Sequence, residues 1–235
     1  MAAMQTESTD FINLLAARAH PQTTNIHPFN QQHWFDGAYR TIQRNVPKGT
    51  ITPQQKQNCQ NQVFATLSTL QPDTYDQQIE TLIKSIATNF PLTIGQSQKL
   101  INILLKYHAC CFYSQLNQAW NLQNQWIANT HFHQHVPVDS IVLFGLCRNS
   151  PASSAEFLTV SSRFCYSKPV QRFVWNYTAS IYVPDSPSGA GFSVPWSGIA
   201  DYGVYFRIQT MIRSLATQKQ ISPLLYEMRY LWAPA

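Results

Sequence analysis

Apolar residues recur at helical spacing through most of the first 150 positions of the chain. Phe11, Leu14, Leu15 and Arg18 share one face of a short N-terminal helix that His20-Pro21 stops. A second helix is expected over Trp34–Arg44, ending before Val46-Pro47. Thr52 as N-cap and Pro53 in the first turn open a third, with Val63, Phe64, Leu67 and Leu70 on its apolar side. A fourth starts near Asp73-Thr74 and keeps period through Ile79, Leu82, Ile83 and Ile86 up to Phe90-Pro91. Leu92 to Lys99 reads as a tight turn feeding the most apolar helix of the chain, Leu100–Tyr113, whose apolar residues on nearly all faces mark it as central. A Gln/Asn-rich stretch through Trp120 and Trp126 follows, and Pro137-Val138-Asp139 then opens an apolar helix over Ile141–Leu146.

The period changes after Arg148. Glu156–Tyr166 and Arg172–Val183 are rich in β-branched and aromatic residues, and Phe173, Trp175, Tyr177, Ala179, Ile181 and Val183 alternate with mostly polar neighbours. The two runs, joined through Ser167-Lys168-Pro169, predict a β-hairpin. Two terminal helices, about Asp201–Gln218 and Pro223–Leu231, complete the chain. The expected fold is a mainly α, single helical domain over residues 1–235 with a β-hairpin insert at 155–183.

Composition narrows the possible chemistry. Charged residues are only 11% of the chain, and 24 Gln and 14 Asn take over the polar surface. The net charge of +5 is compatible with a polyanionic partner. The chain has no P-loop, no G-x-G-x-x-G between a strand and a helix, no H-E-x-x-H and no G-x-S-x-G. NTPases, Rossmann dehydrogenases, zincins and α/β-hydrolases are thereby disfavoured. The five cysteines form no C-x-x-C pair, and no cleavable signal opens the chain, so reduced thiols in a cytoplasmic protein are expected. The longest apolar stretch is interrupted by Asn102, Lys106 and His108, which fits a core helix and not a membrane span.

Asp139 is the only carboxylate between Glu80 and Glu156. Its position at a helix start suits an N-cap, a role that fixes its rotamer and is compatible with catalysis. Lys99 lies on the first turn of the apolar helix, where the helix dipole does not favour a cation; it either snorkels to solvent or faces an anionic ligand. Gly95 before it would let backbone N–H groups approach a phosphate. His131, His133 and His135 alternate, a spacing that could hold a divalent ion or simply form a solvent- or phosphate-facing loop.

The turn-Gly-x-x-x-Lys helix followed by His-Val-Pro-Val-Asp-Ser-Ile-Val resembles the helix-hairpin-helix DNA glycosylase superfamily over residues 91–146. The resemblance implies a helix-hairpin-helix-like element there, with Ser97 at the second hairpin glycine and an insertion over Gln115–His135. It makes Asp139 the catalytic aspartate and Lys99 the Schiff-base lysine position. It places Gly95, Gln96, Ser97 and Lys106 against DNA. Arg148, Arg207 and Arg213 are further basic candidates for phosphates. No four-cysteine iron–sulfur signature is present, so neither a cluster nor another cofactor or metal is implied. Trp34, Phe35, Trp120 and Trp126 are candidate walls for a flipped base.

The function expected from this resemblance is excision of a flipped, modified base from DNA. Small members of this kind also resemble antiviral glycosylases acting on phage DNA. Two other readings stay open: a non-catalytic helical nucleic-acid binder, and a metal-dependent nuclease built on the His131/His133/His135 loop.

Overall fold

The computed structural model describes residues 31–43, 45–114, 123–139, 173–176, 181–184, 192–193 and 196–231, together with positions 8, 121, 142 and 146. The described chain is mainly helical. Its α-helices are α1 (Gln31–Gln43), α2 (Pro53–Leu67), α3 (Tyr75–Asn89), α4 (Ile94–Ser114), the short α5 (Trp126–Asn129), α6 (Tyr202–Gln218) and α7 (Pro223–Tyr226), which runs on into a π-helix over Glu227–Leu231. No helix among the described residues is long and apolar enough to cross a membrane.

Local sequence sets most of these boundaries. Thr52 and Gln55 form a reciprocal capping box at α2, with Thr52 Oγ1 accepting from the Gln55 amide and Gln55 Oε1 accepting from the Thr52 amide. Pro72–Thr74 makes one 3-10 turn before α3, Asp201 caps α6 through the Gly203 amide, and Ser222 caps α7 through the Leu225 amide. The N-terminal helix expected around Phe11–Arg18 lies outside the described residues.

Helix α4 is the hub. It packs against α1, α3, α5, α6 and the 3-10 turn Trp196–Gly198, and all of its 21 residues except Ile103 and Phe112 are buried. Leu100, Ile101 and Leu104 meet Val63 and Leu67 of α2, Ile79 and Ile83 of α3, and Ile208 and Ile212 of α6 in one hydrophobic core. Val142 and Leu146, helical and fully buried, join the same core.

The structure corrects two boundaries. The stretch expected as a turn from Leu92 to Lys99 is helical from Ile94 onward. Thr93 caps that start, its Oγ1 accepting from the Gln96 amide at 3.1 Å while Gln96 Oε1 accepts from the Thr93 amide at 3.0 Å. In the second half, the run read as one strand over Arg172–Val183 is divided. Strands β1 (Phe173–Asn176) and β2 (Ile181–Pro184) pair antiparallel with each other, and β3 (Phe192–Ser193) pairs on the other edge of β1. The Glu156–Tyr166 run lies outside the described residues.

Gly95 is a glycine because of packing. A Cβ there would lie 1.9 Å from the carbonyl oxygen of Trp196, so the backbones of α4 and the Trp196 turn touch at this point. Gly95→Ala should therefore destabilise the protein by about 1–3 kcal/mol through overpacking. Helix propensity alone would instead stabilise it by roughly 1 kcal/mol. Urea unfolding distinguishes the two signs.

Candidate functional site

The first turn of α4 is tied on two sides. Gln96 Nε2 donates to the Asn45 carbonyl at 2.7 Å, holding the loop after α1. The Gly95 amide donates to the Ile199 carbonyl at 2.9 Å, and Thr93 Oγ1 donates to the Ser197 carbonyl, holding the Trp196 turn. With the Gln96 and Ser97 amides also bonded to Thr93, the amides expected to cradle a phosphate at Gly95, Gln96 and Ser97 are already engaged. All three residues are buried. This corrects the expected phosphate-facing hairpin: the helix cap and the Trp196 turn take the groups that a phosphate would need.

One turn further, Lys99 meets Asp139. The ammonium lies 3.2 Å from Asp139 Oδ2, and both side chains are about nine-tenths buried. The indole of Trp196 covers the ammonium with its ring centre 4.2 Å away. Asp139 Oδ1 accepts the Val142 amide at 3.0 Å, so the carboxylate caps the helical backbone at Val142 while its second oxygen faces the lysine. Forty residues of sequence thus close onto one ion pair.

Buried carboxamides bring Asp139 to that place. The Gln98 side chain accepts the Val138 amide at 3.1 Å and donates to the Val138 carbonyl at 2.8 Å. Gln209 of α6 does the same for Val136, at 3.0 and 2.7 Å. Asn102 donates to the Val136 carbonyl at 3.2 Å and to the Tyr205 hydroxyl at 2.8 Å. Residues 136 and 138 are therefore held as a strand is held by its neighbour, with side-chain amides standing in for the neighbouring backbone. Pro137 between them has no N–H to satisfy.

The strap is anchored at its other end by His135. Its Nε2 faces the Asp76 carboxylate at 2.9 Å, so that nitrogen carries the proton, and Nδ1 accepts from the Tyr205 hydroxyl at 2.6 Å. Asp76 also takes a two-pronged contact from Arg213 at 2.7 and 2.5 Å. Burial pushes the Asp76 carboxyl up, but Arg213 and His135 outweigh it and hold the group well below the usual carboxylate range. Burial lowers His135 to about 4 against the pull of Asp76, and lowers His108 to about 4 against the Leu104 carbonyl.

The histidine triplet does not converge. His131 Nδ1 bonds the Tyr113 hydroxyl at 2.7 Å, His133 is exposed with its ring near Tyr75, and both nitrogens of His135 are engaged in the core. Among the described residues no group of three His, Cys, Asp or Glu side chains could hold a metal ion.

Other expected positions also move. Lys106 is fully buried and grips Glu227 with both carboxylate oxygens, at 2.9 and 2.8 Å, so it cannot present its charge to DNA. Burial raises the Glu227 carboxyl; Lys106 opposes this, and the nearby Asp139 adds to the rise. Arg213 is committed to Asp76 and to the His133 carbonyl, while Arg148 lies outside the described residues. Trp34 and Trp126 surround His108 together with Phe64, and Phe35 is fully buried against Tyr39 and Phe64. His108 is nine residues from Lys99, half a turn out of phase and about 14 Å along the helix, so these rings do not line the Lys99–Asp139 site. Trp120 lies outside the described residues. Among the described residues, an aromatic that does reach the site is Trp196, in a Pro/Ser/Gly-rich stretch whose only sequence signal is a tryptophan among turn residues.

Two measurements check this electrostatic layout. His108 and His135 stay neutral in the folded chain, whereas the unfolded chain takes up their protons near pH 6.5. Stability is therefore full above about pH 6.5 and falls as pH drops toward 4, by on the order of 1.4 kcal/mol per pH unit for each imidazole. Urea midpoints of His108→Phe should depend less on pH over this window than those of the parent. Separately, Lys106→Met strands a buried carboxylate and should lower stability by about 3–5 kcal/mol, while adding Glu227→Leu should restore most of the loss.

No protein family, curated protein or solved structure matches this chain, so the functional reading rests on the chemistry of the site itself.

Proposed function

We propose that the protein is a DNA N-glycosylase that excises a flipped, modified base, with Asp139 and Lys99 as its catalytic pair. One observation carries the proposal: a carboxylate and an amine forty residues apart in sequence meet at 3.2 Å in a largely water-excluded place. Breaking an N-glycosidic bond develops positive charge on the sugar, which a fixed carboxylate stabilises while orienting the attacking group. Asp139 is fixed because its Oδ1 is held by the Val142 amide, leaving Oδ2 for the sugar or for Lys99.

Lys99 serves the bifunctional variant of this chemistry. Its amine attacks the sugar C1′ as the bond to the base breaks, and the base leaves with the electron pair of that bond. Before attack the ammonium must give up a proton, and Asp139 Oδ2 is the adjacent acceptor. Trp196 beside Lys99 offers a face for the extruded base in place of the aromatics of the distant His108 cluster. In this reading α3, the Phe90–Thr93 connection and α4 form the helix-hairpin-helix-like element. The modified DNA comes from phage. The metal-nuclease reading has no converging ligand set among the described residues to support it.

Asp139→Asn tests the assignment. Asn caps a helix about as well as Asp, so the fold should persist, while the charge needed at the sugar is gone. Base release from DNA carrying modified bases should fall by at least about a hundredfold. Lys99→Ala should abolish borohydride trapping of the protein on DNA and strand nicking in a bifunctional enzyme, while a monofunctional one keeps releasing base. Parental rates of base release from folded Asp139→Asn would refute the proposal.

A further inference from the structure

With Gly95, Gln96, Ser97 and Lys106 turned inward, a DNA partner needs another phosphate contact near the site. Residues 37–72 contain Arg40, Arg44, Lys48 and Lys56 but no Asp or Glu. Lys56 is spent on Asp36, which Arg40 senses at longer range. Among the described residues, neither Arg40 nor Lys48 has a carboxylate within ion-pair distance, and both are exposed. Lys99, Lys106 and Arg213, by contrast, each hold a carboxylate.

The position of Lys48 is built. Val46 is buried in the core, and Asn45 is fastened to the first turn of α4 by Gln96. Pro47–Thr50 then makes a four-residue turn closed by the Thr50 amide on the Pro47 carbonyl at 3.2 Å. Gly49 takes φ +78 at its third position, the positive φ that a type II turn requires. Lys48 follows Asn45 by three residues, so its Cα lies within about 11 Å of the residue that Gln96 holds one turn from Lys99.

We propose that the Lys48 turn, with Arg40 on the last turn of α1, is the phosphate-binding contact that seats the DNA backbone beside the Lys99–Asp139 pair. It rests on the glycosylase reading for its partner, and the rigid turn supplies what the hairpin amides no longer can. A lysine on such a turn meets phosphate as a point charge, so it positions the strand without reading its sequence.

Duplex binding by the Asp139→Asn protein, followed by fluorescence anisotropy between about 50 and 200 mM salt, tests this without chemistry. Lys48→Ala should lower the slope of log affinity against log salt by about 0.9, and adding Arg40→Gln should roughly double that change. Lys219→Ala, at the end of α6, should keep the parental slope. Salt-dependent binding with an unchanged slope in the Lys48 and Arg40 variants would overturn this contact and leave the DNA reading standing. Binding that is absent or indifferent to salt would overturn both.

Discussion

A strap over residues 134–139 held by three carboxamides is the constraint on which the rest of the molecule turns. Gln98, Asn102 and Gln209 are fully buried, and their hydrogen bonds go to the backbone of Val136 and Val138. Each such bond contributes only about 1 kcal/mol net, but each unmet buried partner costs about 1–3 kcal/mol. A strap displaced by one residue in either direction would set Pro137, which lacks a donor, opposite Gln98 or Gln209. The register of the strap is thus enforced by penalties, and with it the position of Asp139.

The same helix that supplies two of those amides also arranges charge. Lys99 and Lys106 are seven residues apart and so lie on one face of α4, each with its own carboxylate from a distant segment. Glu227 starts a π-helix, and its carboxylate meets a lysine whose side chain is almost wholly buried. The Lys99–Asp139 pair keeps slight exposure and the Lys106–Glu227 pair has almost none, so losing one partner of the second leaves a more deeply buried, uncompensated charge.

Much of the helical fold is legible in the sequence because capping residues and apolar spacing are local signals. Thr52-Pro53, Asp201 and Pro223 mark helix starts that the structure keeps within a residue or two. Lys99 and Asp139 stand out in the sequence as a cation at a helix start and a lone carboxylate forty residues on, but no local pattern states that they form an ion pair. What stayed hidden is the destination of the amides. A high Gln and Asn content reads as polar surface, yet Gln98, Asn102 and Gln209 are interior because each has a backbone partner there, and no local pattern states that partner. Gly95 misleads for the same reason. A glycine near a helix start suggests a turn, whereas here it admits the carbonyl of Trp196, a hundred residues away in sequence.

The contact between Gly95 and Trp196 also fixes a sequence of events in the life of the chain. The pair's surroundings draw on the start of α4, the strap at 134–139, the turn at 196–199, and Tyr205 and Gln209 of α6. During synthesis the lysine and the aspartate emerge well before Trp196, Tyr205 and Gln209. Such long-range contacts are also the slow ones to close. Helices α1 and α3 precede α4 and can pack against it early, but the Lys99–Asp139 pair is covered only once the Trp196 turn has docked.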